Sequence, residues 1–249
     1  MMSDGMNQGK IALVTGANKG LGLETARQLG QLGMTVLLGA RDLTKGEHAA
    51  AELRGEGIDA HAIKLDVADC ADHAAAAKAI ESQHGRLDVL VNNAGILLED
   101  KGGNVTSALA MRILRDTMET NFFAVVALTQ TLLPLLRKSE AGRIVNLSSD
   151  LGSLADQADP KASIYEVKMF AYDTSKTALN SFTIHLAHEL RGTAIKVNSA
   201  HPGWVKTDMG TDAAPMKLVD GAKTSVRLAT LPADGPTGGF FHRAKALRW

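Results

Sequence analysis

Short apolar segments alternate with longer, helix-like segments along most of this chain. The apolar segments have the length and continuous hydrophobicity of strands buried on both faces: residues 10–15, 35–39, 60–65, 89–92, 143–147, 196–199 and a final stretch at 238–241. Helical patterns fill most of the intervals, at 21–32, 44–54, 71–84, 111–137 and 172–191. Because short links join these segments in strand–helix order, we predict an α/β fold, with a parallel sheet and helices on both faces.

Composition limits the kind of protein that such a fold can serve. The 249 residues suffice for one large core, and no linker interrupts them, so we expect a single domain over 1–249. The 27 basic and 27 acidic side chains cancel, which leaves no electrostatic footprint for nucleic acid or an anionic membrane. A lone cysteine, Cys70, cannot form an internal disulfide, and no apolar run approaches the ~18 residues of a membrane span. We therefore expect a soluble, cytoplasmic protein.

Three segments do not fit the alternation and are candidate walls of a substrate pocket. They lie near 96–107, 150–170 and 204–217. The second and third follow the carboxyl ends of predicted strands, where open α/β sheets bind ligands. The alternative is a surface insertion without a function.

A glycine-rich loop directly follows the first predicted strand and opens the first predicted helix. It reads Thr15-Gly16-Ala17-Asn18-Lys19-Gly20-Leu21-Gly22. Glycines permit a tight turn and close approach of the backbone to a ligand, and a helix N-terminus presents free N–H groups to an anion. At this first crossover the spacing favours a dinucleotide pyrophosphate, although three glycines also suit an ordinary turn.

The residues after the second strand indicate which dinucleotide is bound. A carboxylate there accepts hydrogen bonds from the adenosine ribose and repels a 2′-phosphate. Here Ala40 stands where the acid is expected, and Arg41 follows. Arg41, with Lys19 of the glycine loop, is predicted to hold the 2′-phosphate of NADP(H). The alternative is that both cations are ordinary solvated charges, and the neighbouring Asp42 keeps NAD open.

Two further strand ends carry polar residues. Asp66, after the third strand, is predicted either to accept a hydrogen bond from the adenine amino group or to cap the next helix. Asn92-Asn93-Ala94-Gly95, after the fourth strand, places amides and small residues on the expected path of the cofactor, or forms a turn.

Tyr172 and Lys176 are a candidate proton-transfer pair. Four residues apart in a helical pattern, their side chains project from one face. A phenol has an ordinary pKa of about 10, and a nearby ammonium lowers that pKa by favouring the phenolate. Tyr172 is thereby suited to protonate an alkoxide as hydride arrives, or to remove the proton in reverse.

Two more polar residues are candidates for the same site. Ser149, just after the fifth strand, is placed to hydrogen-bond a substrate oxygen, with Ser148 as the competing choice. Asn121 lies in a mostly apolar helical stretch, where a buried amide needs a partner. It either holds water that links Lys176 to solvent or satisfies a backbone carbonyl.

Taken together, these residues resemble the short-chain dehydrogenase/reductase family. The matching motifs follow the family's order over essentially the whole chain: Thr15-Gly-x-x-x-Gly-x-Gly22, Asn92-Asn-Ala-Gly95, Asn121, Ser149, Tyr172-x-x-x-Lys176 and Pro202-Gly203. The resemblance implies a Rossmann-type, doubly wound sheet of about seven parallel strands and a hydride transfer between a nicotinamide and a carbonyl carbon.

The resemblance also assigns roles to particular residues. It implies a catalytic tetrad of Asn121, Ser149, Tyr172 and Lys176. It places Lys176 on the nicotinamide ribose and Thr207 on the carboxamide. The full set of implied cofactor contacts is Gly16, Asn18, Lys19, Gly20, Leu21, Gly22, Arg41, Asp66, Val67, Asn93, Ala94, Gly95, Tyr172, Lys176, Pro202, Gly203, Val205 and Thr207.

A closer similarity is to the NADPH-dependent carbonyl reductases and the related plant menthone and salutaridine reductases. It rests on Gly16-Ala-Asn-Lys-Gly20, Asn121-Phe-Phe123, Pro202-Gly-Trp-Val-Lys-Thr-Asp-Met209 and the stretch from Leu231 to Phe241. Ser149 and Tyr172 are 23 positions apart (172 minus 149), which exceeds the family's usual interval but falls short of most carbonyl reductases. Because a long insertion there tends to cover the dimerisation face, monomer and homo-oligomer both stay open.

The function that follows is an NADPH-dependent reductase of ketones or aldehydes, with a small carbonyl or alcohol molecule as its substrate. An NAD(P)-dependent secondary-alcohol dehydrogenase is the alternative within this class. A dinucleotide-sensing regulator without turnover is disfavoured, because Tyr172 and Lys176 are both present. No Gly-x-Ser-x-Gly or His-Glu-x-x-His motif points to a hydrolase, and no metal site is predicted, since His185 and His188 lack a third ligand.

Overall fold

The strands of this protein form one twisted sheet. The computed structural model describes residues 7–99 and 105–249. Within them the strands are β1 (Ile11–Thr15), β2 (Thr35–Ala40), β3 (Ala60–Lys64), β4 (Val89–Asn92), β5 (Arg143–Leu147), β6 (Lys196–Ala200), β7 (Phe240–His242) and β8 (Lys245–Ala246). Their order in the sheet is β3-β2-β1-β4-β5-β6-β7-β8. The first seven pair in parallel, which confirms the predicted Rossmann-type sheet, and β8 adds a short antiparallel edge to β7.

Helices cover both faces of the sheet. They are α1 (Gly20–Gln31), α2 (Leu43–Gly55), α3 (Cys70–His84), α4 (Met111–Met118), α5 (Ala124–Leu136), α6 (Leu154–Gln157), α7 (Phe170–Glu189) and α8 (Leu218–Ala229). Successive strand residues point to opposite faces, so Ala12 and Val14 join the core beneath α1, α2 and α8. Ile11 and Leu13 join the other core, beneath α3, α5 and α7.

The long helix predicted at 111–137 is divided by a π-helical turn, Glu119–Phe123. This turn lies between α4 and α5 and includes Asn121. The hydrophobic pattern continues through it, because one wide turn leaves the apolar face nearly unchanged. Single π turns inside helices often occur at functional sites.

The segments predicted to be irregular contain short helical turns. Residues 150–170 include a 3₁₀ turn at Asp150–Gly152 and then α6. Residues 96–107 include the start of a 3₁₀ turn at Thr106–Ala108, and part of this predicted segment lies outside the described residues. Residues 204–217 are held by a bridge between Val205 and Met216. The described parts of these segments follow the carboxyl ends of β4, β5 and β6 along the chain.

One helical stretch among the described residues, Met111–Leu136, is long and apolar enough to cross a membrane by length and composition alone. The polar residues inside this stretch had predicted no such segment. About 44% of its most apolar window is buried, and the stretch packs on α3 and α7. Core helices of water-soluble proteins meet the same criteria, so this finding is weak support for a membrane span.

The order of the strands reverses between β1 and β4. From β1 the chain proceeds outward to β2 and β3, and from β4 it proceeds in the opposite direction. The carboxyl ends of β1 and β4 therefore mark the reversal point of the sheet, the place where open α/β sheets bind ligands.

Candidate active site

The glycine loop after β1 has the backbone conformation that its sequence predicts. Gly16 and Gly20 have φ values of +62° and +58°, which disfavour residues with a side chain. A Cβ at Gly22 would lie 2.5 Å from Asn93 Nδ2 and from the Gly16 carbonyl oxygen, so this position packs against the loop after β4. A Cβ at Gly20 would meet no atom within 4 Å. The loop is thus closed on its inner side and open above the first turn of α1.

Thr15 joins the loops after β1 and β4, a role that the sequence analysis did not assign. Its buried Oγ1 accepts hydrogen bonds from the backbone N–H groups of Asn93 (3.0 Å) and Ala94 (2.9 Å). In return, Asn93 Nδ2 donates to the Thr15 carbonyl oxygen at 2.7 Å. A polar side chain at the end of a buried strand was the only sequence signal for this link.

The cations and acids near the predicted ribose site have distinct partners. Arg41 is exposed, and its side chain has no hydrogen bond or ion pair with the described residues. Asp42 caps α2: its Oδ1 accepts the Lys45 backbone N–H at 3.2 Å. Lys19 is ion-paired with Asp208, and both side chains are exposed. Asp42 and Lys19 therefore already have protein partners, whereas the Arg41 guanidinium has none among the described residues and can bind a ligand.

Asp66 does not cap the next helix, so that alternative is wrong. Asp69 is the N-cap of α3 and accepts the Ala71 N–H at 2.8 Å. Asp66 instead accepts the Ala68 N–H at 3.1 Å within a tight turn. Val67 follows in that turn, half-buried.

Asn121 is fully buried in the π turn and is bonded on both sides of its amide. Its Oδ1 accepts the Ile96 N–H at 2.8 Å, and its Nδ2 donates to the Ile96 carbonyl oxygen at 2.9 Å. Nδ2 also donates to Ser175 Oγ at 3.0 Å. The amide therefore satisfies a backbone carbonyl, as one of the two predicted alternatives required, and it fixes the loop after β4 against α7.

Lys176 lies in the interior, beside Tyr172 on α7. Its ammonium donates to the Leu147 carbonyl oxygen at 2.8 Å and lies 5.5 Å from the centre of the Tyr172 ring. Burial lowers the pKa of Lys176 to about 8. A Cβ at Gly95 would lie 3.6 Å from Lys176 Nζ and 3.2 Å from Asn121 Oδ1, so the three residues converge.

Ser149 is the serine that interacts with Tyr172. Burial raises the pKa of the Tyr172 phenol above its usual value, and the neighbouring Ser149 hydroxyl acts in the opposite direction. Ser149 Oγ also donates to Asp150 Oδ1 and accepts the Leu151 N–H, both at 3.2 Å. Ser148 Oγ is buried and has no partner among the described residues.

The segment after β6 holds the remaining predicted contacts. Gly203 has φ +90°, and a Cβ there would lie 2.6 Å from Met216 Cε. Val205, three residues after Pro202, is buried, and Thr207 Oγ1 accepts the Gly210 N–H at 2.8 Å. The Lys19–Asp208 ion pair ties this segment to the glycine loop.

Two residues next to this group had no sequence signal. His201, after β6, accepts the Asp150 backbone N–H at its Nδ1 (3.1 Å), and its Nε2 lies 3.5 Å from Asp150 Oδ2. Burial lowers the pKa of His201, and Asp150 opposes that shift. The described residues contain no cluster of three or more His, Cys, Asp or Glu that would suit a metal ion.

The strand order, the glycine loop at the reversal point and the adjacent side chains of Tyr172 and Lys176 are together typical of a Rossmann-type oxidoreductase. A family model of short chain dehydrogenases matches residues 10–218. The chain belongs to the short-chain dehydrogenase family.

Three relatives refine this assignment. Carbonyl reductase [NADPH] 1 of Homo sapiens is 33% identical over 287 aligned residues, covering 100% of both chains. Salutaridine reductase of Papaver bracteatum is 32% identical, covering 93% of this chain and 94% of that one. An NADPH-bound carbonyl reductase from chicken fatty liver superposes with a TM-score of 0.84 at 27% identity, covering 97% and 95%. The predicted resemblance to this group of reductases is confirmed.

Proposed function

We propose that this chain is an NADPH-dependent reductase of ketones or aldehydes in which Tyr172 is the general acid and base. The observation that carries the proposal is the convergence of Gly95, Asn121 and Lys176 beside the Tyr172 ring. The Lys176 ammonium, the Tyr172 phenol and the Ser149 hydroxyl lie close together, and such a group can bind and protonate a carbonyl oxygen. The similarity to carbonyl reductases whose names include NADPH supports the same reaction.

The residues at the reversal point fit a nicotinamide dinucleotide. The space above Gly20 is open, and the first turn of α1 has neither an acidic side chain nor a side-chain cap, so its N–H groups suit a pyrophosphate. When bound, the nicotinamide supplies or accepts the hydride. We assign the pyrophosphate to Gly16, Asn18, Gly20, Leu21 and Gly22, the adenine to Asp66 and Val67, and the nicotinamide end to Asn93, Ala94, Gly95, Lys176, Pro202, Gly203, Val205 and Thr207.

Selectivity for NADPH is assigned to Arg41 and Lys19. Arg41 has no competing partner among the described residues, and its forked guanidinium suits a phosphate. Lys19 is held by Asp208, so a 2′-phosphate must compete with that carboxylate. Arg41 is therefore expected to contribute more than Lys19.

Burial gives Tyr172 and Lys176 complementary properties. The raised pKa keeps the Tyr172 phenol protonated and ready to donate to a carbonyl oxygen during reduction. The phenolate that remains faces the Lys176 ammonium, which stabilises it. The proton that restores the phenol reaches it from the Lys176 ammonium, which Asn121 flanks through its bonds to the loop after β4.

Ser149 is assigned to the substrate oxygen. Its hydroxyl now donates to Asp150 at the long distance of 3.2 Å, a bond that a substrate carbonyl oxygen can replace. Hydrogen bonding from Ser149 would hold that oxygen next to the Tyr172 phenol. Ser148 is buried at 1% exposure and is less accessible for this role.

The test is consumption of NADPH and NADH against a panel of aldehydes, ketones and diketones. Tyr172→Phe should reduce turnover by a factor of about 10² to 10⁴, because it removes the proton donor, while NADPH affinity stays within about twofold. Tyr165→Phe is the matched control, since Tyr165 is the other tyrosine of the chain. Tight NADPH binding by the wild-type protein without turnover of any carbonyl would contradict the proposal and favour a sensor.

We also propose that the protein acts in the cytoplasm on a small molecule. The one cysteine, Cys70, is a free and exposed thiol, which suits a reducing compartment. The balance of 27 basic and 27 acidic residues gives nucleic acid no charged surface to recognise.

A further inference from the structure

Glu99 reaches from the segment after β4 to the start of α7. Its Oε2 accepts the backbone N–H of Tyr172 at 2.8 Å, a contact between residues 73 positions apart. The side chain is buried, with 5% exposure. Glu99 thus bonds directly to the backbone of the proposed general acid.

This bond replaces a missing cap. The N-cap residue of α7 is Met169, whose side chain accepts no hydrogen bond. Tyr172 is the third residue of the helix, and its N–H is among those that an N-cap oxygen ordinarily accepts. Glu99 supplies that oxygen from another part of the chain, and a carboxylate at a helix N-terminus is favoured by the helix dipole.

Asp173 completes the arrangement from within α7. Its Oδ2 accepts the Met169 N–H at 3.0 Å, and its side chain is 4% exposed. Asp173 Oδ1 and Glu99 Oε1 are both buried and have no partner among the described residues. Two buried carboxylates with an unused oxygen each are destabilising if both are charged.

The charges around Asp173 indicate how this cost is avoided. Burial and repulsion by Glu99 raise the pKa of Asp173 to about 7, and Lys168 opposes the shift. The neutral amide of Gln157, on α6, also lowers the pKa of Asp173 and so opposes the shift. The charge of Asp173 in turn raises the pKa of the Tyr172 phenol on the same helix.

We propose that Glu99 and Asp173 are positioning residues for Tyr172, and that Asp173 is the one that carries a proton near neutral pH, the loss of which loosens the first turn of α7. The inference rests on the proposed function for its catalytic consequence. Its structural part concerns the first turn of α7 and needs no substrate.

The first test is amide hydrogen exchange of the full chain, without cofactor, in peptides spanning 168–176. Glu99→Ala should increase exchange in the first turn of α7 by about tenfold or more, because a charged acceptor is lost. Glu99→Gln keeps an oxygen acceptor and should stay within about threefold of wild type. Glu166→Ala and Glu166→Gln are matched controls, since Glu166 is an exposed carboxylate in the neighbouring segment. Equal exchange in Glu99→Ala and wild type would overturn the positioning role.

The second test distinguishes the effect of the proton from the effect of the hydrogen bond between Glu99 and the Tyr172 N–H. After correction for intrinsic chemistry, wild-type exchange in this turn should rise by about tenfold from pH 6 to pH 8. Asp173→Asn removes the titrating group and should abolish that dependence, whereas Glu99→Gln removes only the neighbouring charge and should weaken it. These isosteric variants keep the test available if Glu99→Ala does not fold. An unchanged pH dependence in Asp173→Asn would refute the role of the Asp173 proton.

The kinetic test follows if the wild-type protein reduces a carbonyl. The kcat of the wild type should fall between pH 6 and pH 8 by a larger factor than that of Asp173→Asn, while the KM for NADPH is the same in both. A parallel decline in the two proteins would contradict the proposal. If no carbonyl is reduced, the proposed function fails while the exchange results still decide the structural inference.

Discussion

Lys19 and Asp208, 189 positions apart, form an ion pair that connects the glycine loop to the segment after β6. Lys19 is one of the two cations proposed to hold a 2′-phosphate, so Asp208 competes with that ligand. Asp208→Asn should therefore lower the KM for NADPH by about two- to threefold and leave the KM for NADH unchanged, a small effect because exposed ion pairs are weak. Steady-state kinetics at low and high salt measures it, with Asp212→Asn as the control. Equal changes for both cofactors would show that Asp208 does not act through Lys19.

Arg41→Ala tests the other cation. The KM for NADPH should rise by about tenfold or more, because a charge-assisted contact is lost, and the KM for NADH should change little. Lys45→Ala is a suitable control, since Lys45 is an exposed cation in the first turn of α2. The same increase for both cofactors would mean that Arg41 does not interact with the 2′-phosphate.

Lys176→Met should alter stability in a pH-dependent way while it abolishes turnover. In the folded protein the pKa of Lys176 is about 8, against an unfolded value near 10.5. The unfolded chain therefore binds more protons between these values, and wild-type stability from this group increases as pH rises through them. The melting temperature of Lys176→Met relative to wild type should be highest below pH 8 and should decrease toward pH 10.5. Thermal unfolding of both proteins, with Lys78→Met as an exposed control, tests the sign.

Asp173→Asn tests a contribution to stability that depends on pH in the opposite direction to that of Lys176. The folded pKa of Asp173 is about 7, against an ordinary value of 3.8, so the folded state binds the proton more tightly between these values. Wild-type stability from this group is greatest below pH 3.8, decreases up to pH 7 and stays lower above it. At pH 8 the variant should melt several degrees higher than wild type, since ~1 kcal/mol changes the midpoint by about 2–4 °C at this size. No difference at pH 8, with Asp234→Asn as the control, would show that Asp173 is not strained.

Much of the fold was predictable because its signals are local. Buried parallel strands are continuous apolar runs, and the glycine loop is determined by backbone conformation within a few residues. The apolar runs predicted the positions of the strands, the strand–helix alternation predicted a parallel sheet, and the family resemblance implied that about seven strands are parallel. The π turn at Asn121 and the short β8 were not predictable, because neither interrupts a hydrophobic period.

In the candidate site, only the residues that belong to sequence motifs were predictable. Tyr172, Lys176, Ser149 and Asn121 each lie at a position fixed by an adjacent strand or helix. Glu99 reaches Tyr172, and His201 reaches Asp150 beside Ser149, only through the tertiary structure, and nothing in the local sequence of Glu99 or His201 marks them as partners. Asp66 illustrates the same limit, since it was the predicted alternative for the cap of α3 and the structure has Asp69, three residues later, in that role.

The atoms that fix the proposed reactive groups belong mainly to the backbone of the sheet edge. Lys176 is bonded to the Leu147 carbonyl, and Asn121 to both backbone groups of Ile96. The predicted walls of the pocket, near 96–107, 150–170 and 204–217, are in contrast connections between the elements of the fold. Under the proposed function, substitutions in the outer connections can therefore change the preferred carbonyl compound while the contacts that hold Lys176 and Asn121 are inherited intact.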